Sequence, residues 1–234
     1  MTLGIMQPYF FPYIGYFSLI QAVDQFILFD EVQFIRHGWI ERNRILSTQK
    51  EPIYIRVPLV KKSRDTKIID MELNQELNWK EKILSQLNGY RKAPHYSTVR
   101  SLIEDSITYS GTKIIELNKI TLSSVCEYLD INTEIVVWSE MGISIEDVNE
   151  PDEWALNISK SLNATHYINP ENGESFFSRK KFNDAGIEIN FLKSRIKPYK
   201  QNSDKYIPYL SIIDTLMYCS KDEVKEKLLE FELS

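Results

Sequence analysis

The sequence predicts an α/β fold: a three-layer arrangement around a mainly parallel sheet with a helical C-terminal part, in a single domain over residues 1–234. Three observations carry this expectation. Short apolar runs, as expected of strands covered on both faces, alternate with longer segments of helical periodicity. The chain opens on an apolar run, a helical stretch and a second apolar run, which is a β-α-β beginning. No internal repeat, low-complexity tract or long polar linker divides the 234 residues, a length that buries about 70% of the unfolded surface.

Taken in order, residues 3–6 form a short apolar strand ended by Gln7-Pro8, and a helix is expected over residues 14–23, with Phe17, Leu19, Ile20 and Val23 available for burial. Residues 26–30 read as the second strand. Residues 53–59 alternate with period two, and residues 67–73 read as a further strand after the basic loop Lys61-Lys62-Ser63-Arg64. Residues 78–87, 98–109 and 112–129 carry helical apolar spacing. Residues 134–138 read as a third core strand and 152–162 as a helix. Short strands at 166–169 and 187–192 flank a basic segment at 178–182, and helices near 207–217 and 221–231 close the chain.

Composition narrows the function classes. The chain holds 28 Lys and Arg against 33 Asp and Glu, and 13 Tyr, 11 Phe and 4 Trp against only 8 Gly. No two glycines are spaced to form G-x-G-x-x-G or a phosphate loop, since both need clustered residues without Cβ to bring amides onto phosphate. An acidic pI of about 5.4 argues against nucleic acid held by bulk charge. The N-terminus lacks a basic leader and no run is long enough to span a membrane, so a cytoplasmic protein is expected. Cys126 and Cys219 read as reduced thiols, and His37, His95 and His166 show no metal-ligand spacing.

The aromatic excess is concentrated: ten of these rings fall between Tyr9 and Trp39. Residues 6–17 lie between the first strand and first helix, where an open α/β sheet places its ligand crevice. Pro8 and Pro12 stiffen that loop, Gly15 permits close packing at the helix start, and free amides there favour an anion. Gln7, Tyr13 and the candidate catalytic Tyr16 are expected to donate hydrogen bonds to a developing oxyanion, and Tyr9 adds a further ring and hydroxyl to the loop. The competing reading is that these rings fill a core.

The second segment is residues 30–43. Asp30 ends the second strand, and Gln33, Arg36, His37, Arg42 and Asn43 offer partners for sugar hydroxyls or a diphosphate. Trp39 is placed to stack on a base or sugar ring. His37 is the candidate proton acceptor, with Asp30 or Asp214 as carboxylate alternatives. Lys61, in the basic loop, is a candidate phosphate cap, a solvated turn being the alternative. Residues 169–173 read as a turn placed for ligand contact. Ser211 and Asp214 share a helix face, but Ser211 lacks the elbow of a hydrolase nucleophile.

With its opening Gln7-Pro8-Tyr9-Phe10-x-Pro12-Tyr13-x-Gly15-Tyr16-Phe17, then Asp24, Phe26-x-x-x-Asp30-x-Val32-Gln33-Phe34, Trp39 and Arg42-Asn43, the chain resembles the WbqC-like protein family. The similarity extends to Tyr199-Lys200-Gln201 and Tyr209 to Asp214, and so spans essentially one whole domain. It implies a bacterial protein encoded among O-antigen, capsule or lipopolysaccharide genes. It implies acyl or aminoacyl (for example glycyl) transfer to a nucleotide-linked amino sugar, with ATP or another activated acyl donor as co-reactant. Gln201, Ser211 and Asp214 join the candidate binding residues on this ground. A non-catalytic nucleotide-sugar or partner-binding module is the alternative.

A more distant similarity is to HIGH-type nucleotidyltransferases, with Tyr13-Ile14-Gly15-Tyr16 standing where His-x-Gly-His opens the first helix. Tyrosine donates a neutral hydrogen bond and supplies no positive charge near neutral pH, so the replacement disfavours adenylyl transfer while leaving nucleotide binding possible. A degenerate nucleotidyltransferase is therefore a third reading.

Overall fold

A computed structural model describes residues 1–234. In chain order the strands and α-helices are β1 (Thr2–Met6), α1 (Ile14–Gln21), β2 (Gln25–Leu28), β3 (Arg42–Leu46), β4 (Pro52–Arg56), α2 (Trp79–Gln86), α3 (Tyr96–Ser106), α4 (Ile114–Tyr128) and β5 (Glu134–Val137). There follow α5 (Glu153–Ser161), β6 (His166–Pro170), α6 (Arg179–Asp184), β7 (Glu188–Ser194), α7 (Ile212–Tyr218), α8 (Lys221–Leu228) and β8 (Phe231–Leu233). Six strands form one sheet in the order β5-β2-β1-β6-β7-β8, parallel except for β8, and β3 pairs with β4 in a separate antiparallel hairpin.

Strand periodicity sorts the side chains into two cores. Leu3 and Ile5, Ile27, Tyr167, and Ile189 with Phe191 face one side, where Leu156 and Ile158 of α5 and Phe182 of α6 cover them. Phe26 and Leu28, Ile168 and Leu192 face the other, larger core, which takes in α1, α4, α7, α8 and the β3–β4 hairpin. The three-layer α/β fold with a mainly parallel sheet and a helical C-terminal part is thus the observed architecture.

Five local expectations are corrected. Residues 67–73 are not a strand: Ile68–Asp70 is a 3-10 turn, and only isolated bridges join Lys67 to Gln33, Glu72 to Lys113 and Leu73 to Leu59. Its buried Ile68 and Met71 lie three apart, which is turn spacing rather than strand alternation. Residues 53–59 do alternate, but β4 pairs with Arg42–Leu46 outside the main sheet. Residues 134–138 supply an edge strand. The helix expected from residue 207 begins at Ile212, because Pro208 disfavours helical backbone before it, Tyr209 has φ 57°, and Ser211 caps Ile213. The last helix ends at Leu228, and residues 231–233 instead pair with β7, a run too short for periodicity to reveal.

Candidate functional site

The chain leaves β1 toward β2 and β5 on one side, then returns through α5 to β6 on the other side of β1. At such a switch point the connections diverge from the carboxyl ends of two neighbouring strands and leave a crevice. An open cavity of about 590 Å³ lies there, bounded by Met6 at the end of β1 and by Asn169 and Pro170 at the end of β6. Tyr9, Tyr13, Trp39 and Tyr209 provide ring walls, and Asn43, Arg44 and Asn172 add polar groups. A second, more apolar space of about 420 Å³ shares Met6, Tyr9, Asn169 and Gly173 and continues past Gln7 to Phe29, Trp154, Phe176 and Phe177.

The loop of residues 7–13 is held almost carbonyl by carbonyl. Tyr16 Oη donates to the Gln7 carbonyl at 2.8 Å, Asn118 Nδ2 to Pro8 at 2.8 Å, and Asn43 Nδ2 to Phe10 at 3.1 Å. Ser211 Oγ donates to the Phe11 carbonyl at 2.7 Å, and the Ile212 amide to Pro12 at 2.8 Å. Asn118 also donates to the Ile40 carbonyl at 2.9 Å, while the Phe10 amide donates to Trp39, so the two cavity loops are fastened to each other. Buried carbonyls need such partners, and satisfying them fixes the backbone. Phe11 (φ 39°), His37 (φ 60°) and Tyr209 (φ 57°) occupy the left-handed region, a strain of about 1–3 kcal/mol each that the surrounding contacts must hold.

The expected site residues therefore separate into three groups. Tyr9, Tyr13, Trp39 and Asn43 meet at the cavity, with Gln7 in the adjoining apolar space. Gly15, Tyr16, Ser211, Asp214, Gln201 and Asp30 are buried in the frame. A Cβ at Gly15 would overlap the Tyr13 ring, so the start of α1 is covered by Tyr13 rather than open to an anion. Asp214 accepts from Tyr90, Tyr199 and Gln201, and Gln201 in turn clasps the Ile207 backbone. Asp30 accepts from both the amide and the hydroxyl of Ser139. The third group, Arg36, His37 and Lys61, lines a different groove. Gln33 donates to the Arg64 carbonyl, and Arg42 bonds the His37 carbonyl while lying over the Tyr54 ring at 4.3 Å.

Burial sets the protonation of these groups. It raises the Tyr9 and Tyr16 hydroxyls above the ordinary tyrosine value and Tyr13 to about 12, the last with help from Tyr209, Tyr9 and Glu171. All three remain neutral donors at physiological pH. Burial also raises Asp30 and Asp214, in each case against hydrogen bonds that favour the charged form. No cluster of three or more His, Cys, Asp or Glu side chains is arranged to hold a metal ion, and no helix is long and apolar enough to cross a membrane.

The family model of the WbqC-like proteins matches residues 7–226, which takes in every cavity-lining residue except Met6 at the end of β1. The chain belongs to the WbqC-like protein family. It is 28% identical over 217 residues to Rv1507c of Mycobacterium tuberculosis strain H37Rv, described as an uncharacterized protein, with 91% of each chain covered. No solved structure matches it.

In this WbqC-like chain, sequence reasoning missed Arg44 and Asn118 and did not assign Tyr209 a contact. Arg44 donates to the Tyr209 carbonyl at 3.3 Å and lies 5.9 Å from the Trp39 ring centre. Of the residues expected to form a turn at 169–173, Asn169 and Pro170 end β6 and Glu171 opens a 3-10 helix over Glu171–Phe176; a side chain at Gly173 would strike Asn169 Oδ1. The available signal for Arg44 was its place directly after the Arg42-Asn43 motif, although both Asn43 and Arg44 reach the cavity despite being successive strand residues.

Proposed function

We propose that this WbqC-like protein binds a nucleotide-linked amino sugar at the switch-point cavity and transfers an acyl or aminoacyl group to its amine. The observation that carries this reading is the pairing of ring walls with side-chain amides around one open space at the sheet's ligand edge. Ring faces cover the apolar faces of a sugar, amides bond its hydroxyls, and Arg44 supplies a charge for a phosphate. The adjoining apolar space suits the acyl group. In the transfer, the neutral amine attacks the activated carbonyl, a C–N bond forms, the bond to the leaving group breaks and the ammonium proton is lost. Alignment of the two reactants supplies much of the rate. Tyr13, kept neutral, donates to the developing oxyanion. Glu171, directly after the cavity-lining Pro170 and paired with Lys193 at 3.2 Å, is the carboxylate proposed to receive the proton from just outside the lining. This role for Glu171 stands in place of the expectation for His37, which lines the other groove.

A non-catalytic nucleotide-sugar-binding role is the second reading, favoured by a cavity whose lining residues include no carboxylate or imidazole. Purified protein incubated with nucleotide-linked amino sugars and acyl-adenylate or acyl-thioester donors separates the two. A mass gain on the sugar that falls sharply in Glu171→Gln and Tyr13→Phe supports transfer. Sugar binding without mass gain with either donor class supports the second reading.

A further inference from the structure

The segment from Arg36 to Arg44 is a partition. Trp39, Asn43 and Arg44 face the cavity, whereas Arg36, His37 and Glu41 face a larger groove of about 690 Å³ on the other side. Buried Phe34, Val57 and Trp79 form the apolar part of this groove, and the exposed Leu77 forms a lip. Its cations are unusual for so acidic a chain. Lys62 is paired with Glu72 at 3.0 Å, but Arg36, Arg56, Lys61 and Lys82 have no carboxylate within ion-pair distance. Four uncompensated cations around one concavity repel one another and create a field that attracts a polyanion.

A second, independent feature lies among them. Glu41 is 6% exposed; its Oε1 accepts the His37 amide at 2.9 Å, and its Oε2 is buried with no hydrogen-bond partner. A buried carboxylate oxygen without a donor is costly, and a ligand that brings one relieves the cost.

We propose that this groove is a second ligand site that takes a nucleoside diphosphate, independently of what the switch-point cavity binds. The diphosphate lies against Arg36, Arg56, Lys61 and Lys82, the base covers the apolar floor, and an amine or hydroxyl of the nucleoside donates to Glu41 Oε2. Repulsion between Glu41 and phosphate orients the ligand with its nucleoside end inward.

Calorimetric titration of the full chain with ADP and with inorganic pyrophosphate tests this assignment. Both bind, ADP more tightly. The exposed-site double variant Arg56→Gln, Lys61→Gln weakens both by about tenfold or more. Glu41→Gln, which keeps an oxygen for the His37 amide, weakens ADP and leaves pyrophosphate unchanged or tighter. Tyr209→Asn in the cavity leaves ADP affinity unaltered. Absence of ADP binding at millimolar concentration, binding indifferent to the double variant, or a Glu41→Gln effect equal for both ligands overturns the proposal, whatever the outcome of the sugar assays.

Discussion

Asn118 offers the sharpest test of how the cavity is held together. Its side chain is fully buried in α4, more than a hundred residues from one partner in sequence, and it donates to Pro8 at 2.8 Å and to Ile40 at 2.9 Å. Asn118→Ala removes both donors at once. Each carbonyl left without a partner costs about 1–3 kcal/mol, so a loss of about 2–5 kcal/mol is expected, out of roughly 5–15 kcal/mol for a typical domain. Asn118→Asp is expected to cost more, because a carboxylate can only accept and would face two carbonyl oxygens. Urea unfolding at neutral pH measures both differences. A melting temperature lowered by roughly 2–4 °C per kcal/mol gives an independent check. A loss below about 0.5 kcal/mol for Asn118→Ala, the level of an ordinary surface substitution, would refute the idea that this residue fastens the two loops.

Three further outcomes follow from the same geometry. Tyr16→Phe removes the donor to the Gln7 carbonyl and should lower stability by about 1–3 kcal/mol, read by urea unfolding, because Tyr16 acts on the loop from within the frame. Asp214, raised by burial, takes up its proton more readily folded than unfolded, so its contribution to stability falls as pH rises through the ordinary aspartate value of about 4 toward the raised value. The stability of wild type minus that of Asp214→Asn, measured across that window, should therefore decline with rising pH, and a flat or rising difference would contradict the assignment. Gly173→Ala forces Asn169 from its place, and should weaken nucleotide-sugar binding by calorimetry while leaving global stability within about 1 kcal/mol.

Much of the sheet was legible because β1, β2, β6 and β7 carry apolar runs bounded by turn residues, and burial on both faces leaves no other use for such runs. The hairpin strand β3 was hidden because Arg42, Asn43 and Arg44 read as a polar loop, although Asn43 is buried and Arg42 stacks on Tyr54. The loop of residues 7–13 lies, as expected, between β1 and α1 at the carboxyl edge of the sheet, since strand, proline and ring order are local signals. What holds it was not legible. Ser211 reaches Phe11 across 200 positions and Asn118 reaches Pro8 across 110, and a side-chain amide in a helix gives no sign of such a partner. The motif residues Tyr16, Asn43 and Ser211 were expected to touch ligand, but each donates to a loop carbonyl, and Asn43 alone of them also reaches the cavity.

The central claim is that the sugar sits where β1 and β6 part. A crystal structure of the full chain soaked with a nucleotide-linked amino sugar tests it most directly. The expected result is the sugar ring between Tyr9, Tyr13, Trp39 and Tyr209, with Asn43, Asn169 or Asn172 on its hydroxyls. Sugar density in the groove beyond the partition, with the switch-point cavity left empty, would contradict it.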